Sequence, residues 1–250
     1  MCYARRGWRR NLAVLVLVAV GLLARPSHGD TVDRLLTWIG AHFRVRVSAL
    51  STLTAFRGGA EPTGSLWIVP AAGGAPRTLV NDRGYRSPLF LPDGTIVALG
   101  PGNRIVHLAA TDGRVLGEPC PAGHDPVDVL IVGEDNERLG AVSQAGRILE
   151  LELAGCRLRA LKSLPKESKR ANQIRLALQR TGRACGGLQV DTTLREEDLE
   201  RGTRREDVIL RGADGAVTTL TQEAPLRLHY APAFSPDCRE VVFVAADSGP

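Results

Sequence analysis

The chain has 250 residues, of which 44% are hydrophobic, 24% charged and only 4% aromatic. That composition excludes a disordered or collagen-like chain and leaves room for one large domain or two small ones. The formal charge of +5 comes from residues 1–29, which hold Arg5, Arg6, Arg9, Arg10 and Arg25 and no acid. The remainder carries as many acidic as basic residues, so a phosphate-binding surface for nucleic acid loses its main support.

Residues 1–29 read as a secretory signal. A basic RRGWRR stretch precedes an apolar run over residues 12–24, and Ser27-His28-Gly29 offers small residues where a signal peptidase cuts. As a helix the run spans roughly 20 Å, short of the ~30 Å hydrocarbon core. The expectation is cleavage near Asp30 and a periplasmic or secreted mature chain with no stable membrane insertion. Four cysteines then remain, Cys120, Cys156, Cys185 and Cys238, in a compartment that favours disulfides, with three pairings open.

Residues 30–43, DTVDRLLTWIGAHF, place Val32, Leu35, Leu36, Ile39 and Phe43 at helical spacing behind an Asp/Thr cap, and predict a short amphipathic helix. Beyond residue 43 short β-patterned runs separated by glycine turns take over. They repeat. PLFLPDGTIVAL from Pro88 and PAFSPDCREVVF from Pro232 share proline, phenylalanine, a Pro-Asp pair and apolar ends. Weaker copies turn at Asn136 and Gly182, and a second, out-of-phase series turns at Gly74, Gly113, Gly155 and Gly215. The residues Pro92-Asp93-Gly94 and Pro236-Asp237 are structural turns: proline presets φ and the aspartate bonds the local backbone. A unit of ~40–45 residues with four short strands is the pattern of a propeller blade.

The stretch AFRGGAEPTGSLWIVPAAGGAPRTLV followed by SPLFLPDGTIVAL resembles the repeat of TolB-like periplasmic propellers, which are related to WD-type repeats. The resemblance implies an all-β propeller of about four to five four-stranded blades, at about 44–80, 88–117, 127–164 and 172–221, with an incomplete last blade at 231–245. In that arrangement strand 240–245 has an open edge, as a docking site or the scar of a truncation, unless the first segment or the N-terminal helix covers it. Cys156, Cys185 and Cys238 share one face and Cys120 lies opposite, so any disulfide joins two of the first three.

No GxSxG, HExxH, Walker A loop or strand-linked GxGxxG is present, and no Cys/His spacing points to zinc. No catalytic residue, metal or cofactor is therefore expected. The one polar constellation sits just before the inner strands, near the mouth of a central channel: His124, Asp125, Asp128, His229 and Tyr230. On the same face lie a basic loop at 162–170 and an insertion of mixed charge at 192–205, both read as loops. The expected function is a non-enzymatic scaffold that binds another envelope protein. The alternative is a ligand-binding or gating propeller belonging to a hydrolase or peptidase-like protein of which this chain is a fragment.

Overall fold

A computed structural model describes residues 30–43, 63–121, 125–132, 138–166, 168–179, 182–198, 203–222 and 228–247. The leader, residues 44–62, the turn at Asn136 and the candidate His124 lie outside the described residues.

The described strands fall into four antiparallel groups. The first draws on distant parts of the chain: β14 (Leu228–Phe234), β15 (Glu240–Ala246), β1 (Gly64–Pro70) and the start of β2 (Arg77–Phe90). The second takes the end of β2, then β3 (Ile96–Gly100), β4 (Arg104–Leu108) and β5 (Cys120–Pro121). The third is a separate four-stranded sheet, β6 (Val127–Val132), β7 (Leu139–Ser143), β8 (Arg147–Glu152) and β9 (Arg157–Ser163). The fourth contains β10 (Ala184–Cys185), β11 (Leu188–Asp198), β12 (Thr203–Arg211) and β13 (Val217–Thr219).

The last repeat does not end in an open edge. β1 pairs along β15 from Ser65↔Ala245 to Pro70↔Glu240, and β15 pairs β14 on its other side. The reason is apolar burial. Val241, Val242, Phe243 and Val244 are fully buried, and the matching pattern of β1 lets both strands bury two faces together. Gly64 permits the close approach, because a Cβ there would stand 2.3 Å from the Ala245 carbonyl oxygen.

The N-terminal helix α1 (Asp30–Phe43) forms over the expected residues. It buries Val32, Leu36, Ile39 and Phe43 against Val129, Ile131, Val142 and Ile148 of the third group. Arg138 Nη1 donates to the His42 carbonyl at 2.8 Å, satisfying an acceptor at the helix end. Two expectations for the fourth group are corrected. Its first strand is replaced by a helix, α2 (Ser168–Leu178). Ala171, Ile174, Ala177 and Leu178 are buried with α1 at helical spacing, and the stretch is rich in Ala, Gln, Arg and Leu, which favour helix. The insertion at 192–205 is not a loop of its own. It lengthens the β11–β12 hairpin, with Glu196↔Arg205 and Glu197↔Arg204 in register.

The disulfides are Cys120–Cys156 and Cys185–Cys238. The first departs from the expectation that Cys120 lies on the opposite face. It counts against the blade assignment at this point: Cys120 does not lie in a loop between blades but in β5, paired with Ile105 of β4. Peptide mapping under non-reducing conditions is expected to recover these two pairs and no Cys156–Cys185 peptide.

Three apolar clusters join the parts: one runs through the first three groups, one joins the third group to α1 and α2, and one joins the first and fourth. Gly140 of β7 is the tightest point under α1, since a Cβ there would lie 2.4 Å from the Phe43 ring. Gly140→Ala is expected to lower stability by about 1–3 kcal/mol, the usual cost of overpacking, measured as a lower denaturant midpoint.

Candidate functional site at the inner strands

Two of the turns, in the second and first groups, are built by aspartates. Asp93 accepts from Thr95 N at 2.9 Å and Thr95 Oγ1 at 2.6 Å, while Gly94 takes a φ of 83°. The same turn recurs at Asp237, which accepts from Ser235 Oγ and Arg239 N. Those hydrogen bonds, led by the Ser235 hydroxyl, hold the Asp237 carboxyl below its ordinary range. Here Cys238 occupies the left-handed position, at a φ of 61°, that glycine holds in the other copy. Its side chain is required there for the bond to Cys185.

The end of β2, β6 and β14, together with the end of α2, converge on a pocket of about 20 Å³, room for about one water molecule. Ser87, Leu89, Leu130, Leu178, Gln179 and Pro232 are among its lining residues. Each of these three strands breaks register here, between Arg86 and Leu89, Val127 and Val129, and Tyr230 and Ala233. Ser87 and Ala231 adopt φ values of 48° and 50°, each just before a proline. The bulges let the strand ends turn inward.

The residues anticipated at the channel mouth are occupied by structural contacts. Asp125 accepts from Ala145 N at 3.1 Å and Arg147 Nε at 2.8 Å. Burial pushes its carboxyl up, but bonds from the Ser143 hydroxyl, Arg147 and Ala145 outweigh this and leave it below the ordinary range. Asp128 sits between two arginines, 3.2 Å from Arg175 Nε and 4.0 Å from Arg86 Nη1. Arg86 also donates to Asn103 Oδ1 and the Val127 carbonyl, and Arg175 to the Ser143 and Gln144 carbonyls. The second group, the third group and α2 are thus tied through one carboxylate. Tyr230 is buried in the apolar cluster of the first three groups.

His229 is separate from that triad. It is fully buried, its ring edge-on to Phe243 at 5.5 Å. Nδ1 lies 2.8 Å from the Glu206 carbonyl and 3.7 Å from Asp207 Oδ1. Two acceptors on that side place the proton on Nδ1, and Nε2 has no hydrogen-bond partner among the described residues. Asp207, 1% exposed, is approached by Arg195 Nη1 at 3.3 Å and Arg205 Nε at 3.7 Å, and Thr221 Oγ1 donates to it at 3.2 Å. Nothing in the sequence distinguishes Arg86 or Arg175, because their partner Asp128 comes from an element remote in the chain; Asp207 is held by Arg195 and Arg205 of its own hairpin. Among the described residues no group of three or more His, Cys, Asp or Glu could hold a metal ion.

A scan against protein-family models finds no match, and no curated protein matches. Solved structures do show similarity. The TolB structure from Agrobacterium tumefaciens is 17% identical, with 76% of this chain and 64% of that chain covered and a TM-score of 0.32. The RRP9 WD40 repeats are 15% identical, with 64% and 43% covered and a TM-score of 0.31. Virginiamycin B lyase from Staphylococcus aureus is 13% identical, with 69% and 71% covered and a TM-score of 0.30. The chain resembles TolB-like and WD40-repeat propellers. It spans 64% of the TolB chain and 43% of the RRP9 chain.

Burial depresses the His229 imidazole below its ordinary value, against the opposing pull of the Glu206 carbonyl and Asp207 and with the help of Arg205. The unfolded chain then binds a proton that the folded chain refuses. Stability is full above the unfolded value of about 6.5 and falls as pH drops from there towards the lower folded value. Denaturant unfolding across that window is expected to show the fall, and His229→Leu to flatten it.

Proposed function

We propose that the chain is an exported, non-enzymatic propeller that serves as a protein-interaction scaffold in the cell envelope. In this reading the four groups stand around one axis as blades. The first is completed by strands from both ends of the described chain, and α2 stands where the fourth would have its inner strand. The observation that supports the reading is the small space where β2, β6, β14 and the end of α2 meet: the pocket there holds about 20 Å³, and Asp125 and Asp128 are engaged in ties to backbone and arginine groups. Recognition is left to the periphery, where the long β11–β12 hairpin carries an exposed Leu194 and β13 an exposed Val217. Two disulfides joining neighbouring groups suit an oxidising compartment. No helix among the described residues is long and apolar enough to cross a membrane.

The test is photo-crosslinking in intact cells, with a benzophenone residue at Leu194 or Val217, followed by N-terminal sequencing of the envelope-fraction protein. The expected result is one discrete protein adduct that repeats between preparations, on a chain beginning near Asp30. Absence of any adduct at both positions, or recovery of the chain from the cytoplasm, would overturn the reading.

A further inference from the structure

Every lysine of the chain lies within eight residues, at 162, 166 and 169, whereas its other side-chain cations are all arginines. The structure puts these lysines at the end of β9 and in the segment entering α2. β9 is outermost in its sheet, after β6, β7 and β8, and among the described residues no strand pairs with its outer side. Arg157, Arg159 and Lys162 along it are exposed, as are Lys166 and Lys169 beyond it. Arg159 pairs with Glu150, and Lys162 Nζ rests 3.7 Å from the centre of the Trp38 ring, which fixes its stem against α1. Outside residues 1–29 the chain is balanced in charge, and this edge gathers five of its cations around a row of backbone donors and acceptors, with Glu150 and Glu152 standing across from Arg159 and Arg157 on β8.

We propose that the outer edge of β9 docks an extended, acidic segment of a partner protein, which adds a strand to the third sheet. Such a segment gains main-chain hydrogen bonds from the edge and ion pairs from the cations, the two sources of affinity in β-augmentation. The same cations repel a second copy of β9, so the edge is guarded against self-pairing and open to the opposite charge. An anionic lipid surface fits less well. The cations follow a narrow strand edge, and α1 covers one of the adjoining sheet faces.

The proposal deepens the scaffold reading and rests on it, yet the two fail separately: crosslinks from Leu194 and Val217 report on the fourth group, and the following measurement reports on β9 alone. Fluorescence anisotropy of the oxidised chain is measured with a labelled heptapeptide of alternating Glu and Val. Three comparison probes are its Lys/Val counterpart, the Glu/Val peptide N-methylated at alternate residues, and phosphatidylglycerol vesicles. The expected result is salt-sensitive binding of the Glu/Val peptide, roughly tenfold weaker after N-methylation, and no binding of the Lys/Val peptide. Arg157→Glu with Lys166→Glu, both at exposed positions and checked for folding by circular dichroism, should weaken it to a similar degree. Equal binding of the N-methylated peptide would show charge without strand addition and overturn the proposal. So would binding of vesicles without peptide, or no binding at all.

Discussion

The pairing of β1 with β15 is the constraint on which the rest depends. It places Ser65 beside Ala245, with the Ser65 hydroxyl donating to the Ala245 carbonyl across 180 residues of chain. A stack of repeats in which each contacts only its neighbours has two free ends. Here one sheet is made from both ends of the described chain, and the edges each would have exposed are satisfied by the other. The buried run from Val241 to Ala245 supplies the driving force. Because the contact is so non-local, its loop-closure entropy must be met before its burial is gained, which marks it as a late step in folding.

What the sequence made legible is local. The helix at residues 30–43 and the Pro-Asp turns follow from side-chain spacing and from φ preferences that act over a few residues. The equivalence of the repeats at Pro88 and Pro232 was also readable. Which strand would sit beside β15 was not, since period-two patterning specifies that a strand buries two faces but not against what. The stretch around Ile174 shows a related ambiguity. A short apolar run between two turn signals suits a strand as well as a helix, and only the chain of buried positions from Ala171 to Leu178 identifies a helix.

The polar residues anticipated as a binding mouth illustrate a wider point. Asp125 and Asp128 lie at the start of β6, and His229, in β14, is held apart from them. Their partners, Arg147, Arg86, Arg175 and Asp207, come from other elements, and no local pattern announces them. A carboxylate removed from water needs its charge compensated: Asp125 takes Arg147 of its own sheet, whereas Asp128 takes Arg86 of the second group and Arg175 of α2. At Asp128 the second group, the third group and α2 are joined.

The two disulfides bring a last consequence, one of cellular quality control. They span 36 and 53 residues, and closing loops of that size in the unfolded chain corresponds to about 4 kcal/mol each on the chain-entropy view. Their sum is of the same order as the entire stability of an ordinary domain, about 5–15 kcal/mol. A copy kept in a reducing compartment would stand close to its unfolding threshold and stay open to proteolysis. The oxidised molecule would be secure, so thiol chemistry acts as a checkpoint on where the fold can persist.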